Sequence, residues 1–188
     1  MVEREQYFND FQKILEICLA DKAHQQGLAK TMKLLKSSRQ RQKKIMLIGN
    51  GGSSAIAEHM AVDLTKNAGL RAMTISGTPM LTTLANDLGY EKVYEKAIKS
   101  FADQGDVLIA ISSSGASKNI LNACKAAKAK GMIIITFSGF SRHNPLRTQG
   151  LVNFWVDSKS YGYVEIIHNL LLHYINDAII GSVEYVIP

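Results

Sequence analysis

Five short apolar runs constrain what this chain can fold into: IMLIG at 45–49, AMTIS at 72–76, VLIAIS at 107–112, MIIITFSG at 132–139 and VNFWV at 152–156. They read as apolar runs rather than apolar–polar alternations, so they predict strands buried on both faces. Between them lie SSAIAEHMAVDLTKNAG, MLTTLAND with YEKVYEKAIKSFADQG, and SKNILNACKAAKAKG. These have helical periodicity and close on Gly69, Gly105 or Gly131, the usual punctuation of a helix C-terminus. The alternation predicts an α/β fold: a doubly wound, five-stranded parallel sheet with helices on both faces.

The two ends add helices. Residues 4–35 read as one or two, with Tyr7, Phe8, Phe11, Ile14, Leu15 and Cys18 as an apolar stripe. The closing segment YGYVEIIHNLLLHYINDAII is apolar round most of its circumference, which predicts burial in the core or between subunits. There is no repeat, low-complexity tract or linker in the 188 residues. The expectation is one domain over 1–188, with N-terminal helices over 1–40 and the α/β core and closing helix over 41–188.

Composition narrows the function classes. Apolar residues make up 46% and charged residues 20%, the balance of a globular chain. No apolar run is long enough to cross a membrane, and the N-terminus has no apolar signal core, so no membrane association is expected. Cys18 and Cys124 stand apart, without a CxxC pair, which suits a cytoplasmic protein. The net charge of +6 is local: KSSRQRQKK at 36–44 reads as a solvated linker, and KAAKAK at 125–130 as the outer face of a helix. With no helix-turn-helix, zinc finger or aromatic–basic surface, no nucleic-acid partner is expected.

Two turns carry the chemistry. GNGGSS at 49–54 follows the first strand and opens a helix. Its glycines let backbone approach a ligand, and the helix N-terminus favours an anion. It is neither a Walker A loop nor a GxGxxG fingerprint, and alone it reads equally as a structural turn. The second turn, ISSSGASKN at 111–119, also joins a buried strand to a helix. Ser112, Ser113, Ser114 and Ser117 exceed what helix capping requires and suit the oxygens of a phosphate. Two such turns at strand ends of one parallel sheet predict an anion crevice. His59 and Asp63, at i and i+4, share a face of the helix behind the first turn. On the last helix, Glu165, Asn169, His173 and Asn176 fall within roughly an 80° arc, and His168 lies outside it.

GNGGSS…AEHMAVDL, LANDLGY, GDVLIAISSSGASKNI, AAKAKGMIIITFSG and VEIIHNLLLHYI together resemble the SIS (sugar isomerase) domain family, and within it the phosphoheptose isomerase branch. The resemblance runs from about residue 40 to 180 and implies a flavodoxin-like sheet. It also implies conversion of sedoheptulose 7-phosphate to D-glycero-D-manno-heptose 7-phosphate through an enediolate, feeding heptose to a cell-surface polysaccharide. It implies a zinc ion held by His59, Asp63, Glu165 and His173, with Asp63 as base and His173 as its partner. Zn²⁺ accepts both nitrogen and oxygen donors. Substrate contacts implied are Asn50, Gly51, Gly52, Ser53, His59, Asn86, Asp87, Ser112, Ser113, Ser114, Ser117 and Glu165. A homotetramer with sites between subunits is implied as well.

The chain departs from that pattern in three places. Asp63 stands where the branch has Glu, Glu165 where it has Gln, and SKSYGYV before Glu165 lacks an Asp-Arg pair. These changes keep two other readings open: an isomerase or sensor of a different sugar phosphate, and a non-catalytic SIS adaptor bound to a protein partner. Loss of the four ligand-capable residues would favour the adaptor, and they are present. FSRHNP at 140–145 reads as a surface loop in which His143 has no evident partner, and Lys118 as a solvated lysine.

Overall fold

A computed structural model describes residues 2–75 and 77–184. Helices α1 (Arg4–Ala20) and α2 (Lys22–Gln40) precede an alternation of β1 (Lys44–Ile48), α3 (Gly52–Lys66), β2 (Arg71–Thr74), α4 (Thr78–Leu88), α5 (Val93–Phe101), β3 (Val107–Ser112), α6 (Lys118–Ala129), β4 (Ile133–Ser138), β5 (Val152–Trp155) and α7 (Tyr161–Ile180). Short 3-10 turns occupy Tyr90–Lys92 and Pro145–Thr148. All pairings are parallel and the strand order is β2-β1-β3-β4-β5.

The buried strands behave as their composition dictates. Ile45 and Leu47 of β1 join one core with α2, α3 and α7, while Met46 and Ile48 join a second core with α5 and α6. Successive side chains leave a strand on opposite faces, so a run covered by helices on both sides must be apolar at every position. This is the doubly wound sheet expected from the runs. The chain reverses direction across the sheet between β1 and β3, and the loops after those two strands therefore diverge and leave a crevice at their carboxyl ends.

Two local expectations change. The basic stretch 36–44 is not a linker: α2 continues through Gln40 and Lys44 already pairs in β1. Lysine, arginine and glutamine are good helix formers, and Leu35 and Ser38 anchor this turn in the interior. In α1, Phe11, Ile14 and Leu15 pack against the core and Cys18 is buried, but Phe8 is 61% exposed. The apolar stripe of α1 is therefore only partly covered. Among the described residues, no helix is long and apolar enough to cross a membrane.

Candidate active site

The first turn places its backbone at the crevice through one unusual residue. Gly51 has φ 54° and ψ −124°, a conformation open to glycine and strained for other residues, and nothing lies within 4 Å of where its Cβ would be. Gly52 then starts α3, and Ser53 N–H donates to Asn50 O at 3.0 Å and Ser54 N–H to Gly51 O at 2.9 Å, which closes the turn onto the helix. The side chain of Asn50 bonds to Asn119 at the start of α6, which ties this turn to the serine turn.

The serine turn bonds two of its hydroxyls to each other and leaves a third, buried one without a partner among the described residues. Ser117 stands at the N-cap of α6 yet makes no capping bond; its Oγ sits 3.2 Å from Ser112 Oγ. Ser113 Oγ is buried and has no hydrogen-bond partner among the described residues. A buried hydroxyl without a partner costs stability, so an oxygen-rich ligand here would recover it. Ser112, Ser113, Ser114 and Ser117 line a cavity of 120 Å³ with Asn50, Ser53, Tyr161 and Glu165. The loop after β4 supports the turn from behind and is more than surface: Asn144 and Leu146 are buried, and Leu146 N–H donates to Gly115 O at 3.0 Å. Gly115 has φ +63° and its Cβ position would lie 2.8 Å from Asn144 Cβ, so only glycine fits this approach. His143 in the same loop is exposed.

Beside this cavity, α3 and α7 bring three ligand-capable side chains together. His59 Nε2 lies 3.5 Å and His173 Nδ1 3.7 Å from Asp63 Oδ2. The ligand atoms of all three fall within 4.8 Å of one another, and the two imidazole centroids are 5.1 Å apart. Asp63 Oδ1 accepts from Asn67 Nδ2 at 3.4 Å, which leaves Oδ2 facing the histidines. Glu165 stands outside this group of three. Its carboxylate lies over Gly52, and it lines both the serine cavity and an adjoining 330 Å³ cleft with His59, Ile56 and Asn169. Of the expected substrate contacts, Asn86 and Asp87 line neither cavity. They are exposed in the last turn of α4, with Asn86 Nδ2 donating to Asp87 Oδ1 at 2.9 Å. α4 buries none of its residues fully but packs Leu81, Leu84 and Ala85 on the second core, and Asn86 and Asp87 fall on its exposed side.

His168 is a structural histidine, as its angle on α7 predicts. It is fully buried, Nε2 reaches Ser138 O at 3.1 Å, and burial lowers its pKa to about 4. Cys18 and Cys124 are both buried, and that burial pushes their thiols up to about 11 and about 12. Four residues of the site were not among the sequence candidates: Asn67, Asn119, Tyr161 and Tyr90, whose OH donates to Asn50 Oδ1 at 2.9 Å. Two carried a signal, since Asn67 lies four residues after Asp63 and Tyr161 four before Glu165 on helices already assigned to the site.

Residues 6–139 match the SIS domain family. The phosphoheptose isomerase of Helicobacter pylori (strain P12) is 36% identical over 163 residues, covering 82% of this chain and 83% of the relative. That of Buchnera aphidicola subsp. Acyrthosiphon pisum (strain Tuc7) is 34% identical over 178 residues, covering 88% and 91%. The solved phosphoheptose isomerase of Neisseria gonorrhoeae superposes with a TM-score of 0.86 at 28% identity, covering 95% of this chain and 97% of that one. Fold, paired turns and sequence agree, and the chain belongs to the SIS domain family, on its phosphoheptose isomerase branch.

Proposed function

We propose that this chain, a single SIS domain, is an aldose–ketose isomerase that converts sedoheptulose 7-phosphate to D-glycero-D-manno-heptose 7-phosphate. The observation that carries the reading is the position of Glu165. It lines both the serine cavity and the cleft holding His59, so a phosphate gripped at one end presents its carbon chain to the histidine–carboxylate cluster at the other.

The serine hydroxyls and the N-termini of α3 and α6 bind the phosphate, and their dipoles favour its charge. The Asp63 carboxylate, aimed by Asn67, takes the proton from the hydroxyl-bearing carbon next to the carbonyl. An enediolate results. Asp63 returns the proton to the neighbouring carbon, while a hydroxyl proton shifts between the two oxygens with His173 as relay. His173 lies 3.7 Å from Asp63, close enough to share that proton traffic.

His59, Asp63 and His173 also fit a zinc ion. Their donor atoms all lie within 4.8 Å of one another, and two imidazoles with a carboxylate suit its chemistry. Bound there, zinc would stabilise negative charge on the enediolate oxygens. Glu165 is the candidate for the fourth position.

The site opens onto a face where Val62 of α3 and Ile166, Leu170 and Tyr174 of α7 are exposed. An apolar patch of this kind is costly in water and supports closure by other copies of the chain, as a homotetramer. A monomeric mass by light scattering would overturn that assembly. We assign the protein to the cytoplasm and to a phosphosugar partner, with neither nucleic acid nor membrane as ligand.

The experiment is direct. Purified protein, metal-stripped or zinc-loaded, is incubated with sedoheptulose 7-phosphate and aldose formation is followed by NMR. Zinc-dependent turnover supports the reading. Binding without turnover would favour the second reading, isomerisation of another sugar phosphate, which the shorter Asp63 carboxylate also favours.

A further inference from the structure

Phe140 is the one bulky residue of the described chain with left-handed backbone, at φ 55°. That conformation costs a non-glycine residue about 1–3 kcal/mol. The chain places glycine at seven other positive-φ positions, and the remaining exception, Gln42, is polar and lies in a turn before β1. A glycine at 140 would remove the cost, but the phenyl ring packs on the edge of the first core and reaches from there to the site.

The ring packs on Tyr161. The two centroids are 4.9 Å apart at 74°, an edge-to-face pair. The segment is pinned on both sides: Phe140 N–H donates to Ser158 O at 2.8 Å and Gly139 N–H to Ser113 O at 2.9 Å. Phe140 thus stands between the serine turn and the start of α7 and fixes the ring of Tyr161, which is itself 61% exposed. Tyr161 lines the serine cavity with Ser113, Ser114, Ser117 and Glu165. It also begins a file on α7, with Tyr161, Glu165, Asn169 and His173 each four residues apart. The other three members border the cleft or the reactive cluster.

We propose that Tyr161, braced by the strained Phe140, is a specificity-determining residue: its ring is the wall against which the carbon chain of the phosphosugar packs as it leaves the serine turn. This rests on the phosphosugar reading of the site. It assigns affinity for the phosphate to the serines and affinity for the sugar to the ring. The ring's C–H and π surface suits the C–H face of a polyol chain and has nothing to offer inorganic phosphate.

The test is calorimetric binding of inorganic phosphate, sedoheptulose 7-phosphate, fructose 6-phosphate and ribulose 5-phosphate to wild type, Tyr161→Ala, Tyr161→Phe and Phe140→Gly, with melting curves for each. Loss of an aromatic contact corresponds to about tenfold in affinity, so Tyr161→Ala is expected to weaken the tightest sugar phosphate by about that factor and inorganic phosphate by less than about twofold. Tyr161→Phe is expected to retain wild-type affinity. Phe140→Gly removes the strain and also the ring's packing on the first core, and is expected to weaken the sugar phosphate as Tyr161→Ala does while leaving inorganic phosphate within about twofold, a split that a merely structural role would not produce. Unchanged sugar affinity in Tyr161→Ala, equal losses for sugar phosphate and inorganic phosphate, or Tyr161→Phe behaving like Tyr161→Ala would each overturn the proposal. If sedoheptulose 7-phosphate is not the tightest sugar, the substrate assignment fails while Tyr161 is judged on the sugar that is. If no sugar phosphate binds more tightly than inorganic phosphate, the ring has no chain to hold and the proposal fails.

Discussion

Asn50 and Asn119, 69 residues apart in sequence, exchange a reciprocal pair of amide hydrogen bonds, Nδ2 to Oδ1, of 3.0 and 2.8 Å. Each carbonyl oxygen accepts a second bond: Asn50 Oδ1 from Tyr90 OH at 2.9 Å, and Asn119 Oδ1 from Ile120 N–H at 2.9 Å. The side chain of Asn50 is thus largely committed to the protein, and its contribution to a ligand comes through the backbone of the turn it holds. A clip between the glycine turn and the serine turn sets the width of the crevice.

Breaking the clip is expected to loosen both turns together. Asn119→Asp keeps the shape but cannot donate to Asn50, and it buries a charge. The loss is about 1–3 kcal/mol of stability, measurable in urea, with a higher KM for the phosphosugar. Tyr90→Phe removes one of two donors to the same oxygen and is expected to cost about 0.5–1.5 kcal/mol. Wild-type stability and KM in Asn119→Asp would show that the turns hold their spacing without the clip.

Gly52→Ala separates folding from function. The new Cβ would lie 2.8 Å from Glu165 Cδ, so the carboxylate has to move, and a rotamer change of a flexible side chain accomplishes that cheaply. The fold is expected to melt at nearly the wild-type temperature. Turnover is expected to fall by roughly tenfold to a hundredfold, since about 1 Å of misplacement at a reacting centre has that effect. Unchanged kcat would remove Glu165 from the working site.

Zinc is expected to stabilise the wild-type protein. At a hundredfold excess over Kd a bound ion contributes about 2.7 kcal/mol, or about 5–10 °C in melting temperature for a chain of this size. His173→Ala and Asp63→Asn each remove a member of the three-residue group, and the zinc-induced shift is expected to vanish in both. A shift of wild-type size in either variant places the ion elsewhere.

Stability is expected to fall as the solution is acidified, with His168 as one identifiable cause. Burial lowers its pKa from 6.5 to about 4, while the unfolded chain takes up the proton near the ordinary value. Above pH 6.5 the histidine is neutral in both states and contributes no pH dependence. Between pH 6.5 and 4 the unfolded state binds the extra proton, so stability drops as pH falls, by roughly 3 kcal/mol in total. His168→Gln does not titrate and retains a donor for Ser138 O, so its urea-derived stability is expected to fall less between pH 7 and 5 than that of wild type. Parallel slopes in the two proteins would assign the acid sensitivity to other groups.

The sequence by itself determined the elements and their chemistry. Ile45 to Ile48 and Val107 to Ile111 had to be interior strands, because an unbroken apolar run is stable only when both faces of the strand are covered. The glycine and serine turns had to lie at strand ends that open helices, and His59 and Asp63 had to share a face, because helical and strand periods are set by local backbone geometry. What the tertiary structure decided was adjacency. The placement of β3 beside β1, with 58 residues between the ends of Ile48 and Val107, follows from how the whole sheet packs and is encoded in no local pattern. That placement brings Asn119 to Asn50. The packing of α7 on α3 sets His173 beside Asp63 and lays Glu165 over Gly52 rather than among the histidines. It left Asn86 and Asp87 on an exposed helix end, because α4 packs on the second core through Leu81, Leu84 and Ala85 instead. Hydrogen bonds and van der Waals contacts act over a few ångströms, so which side chains meet depends on the last fractions of a turn in how helices seat on the sheet.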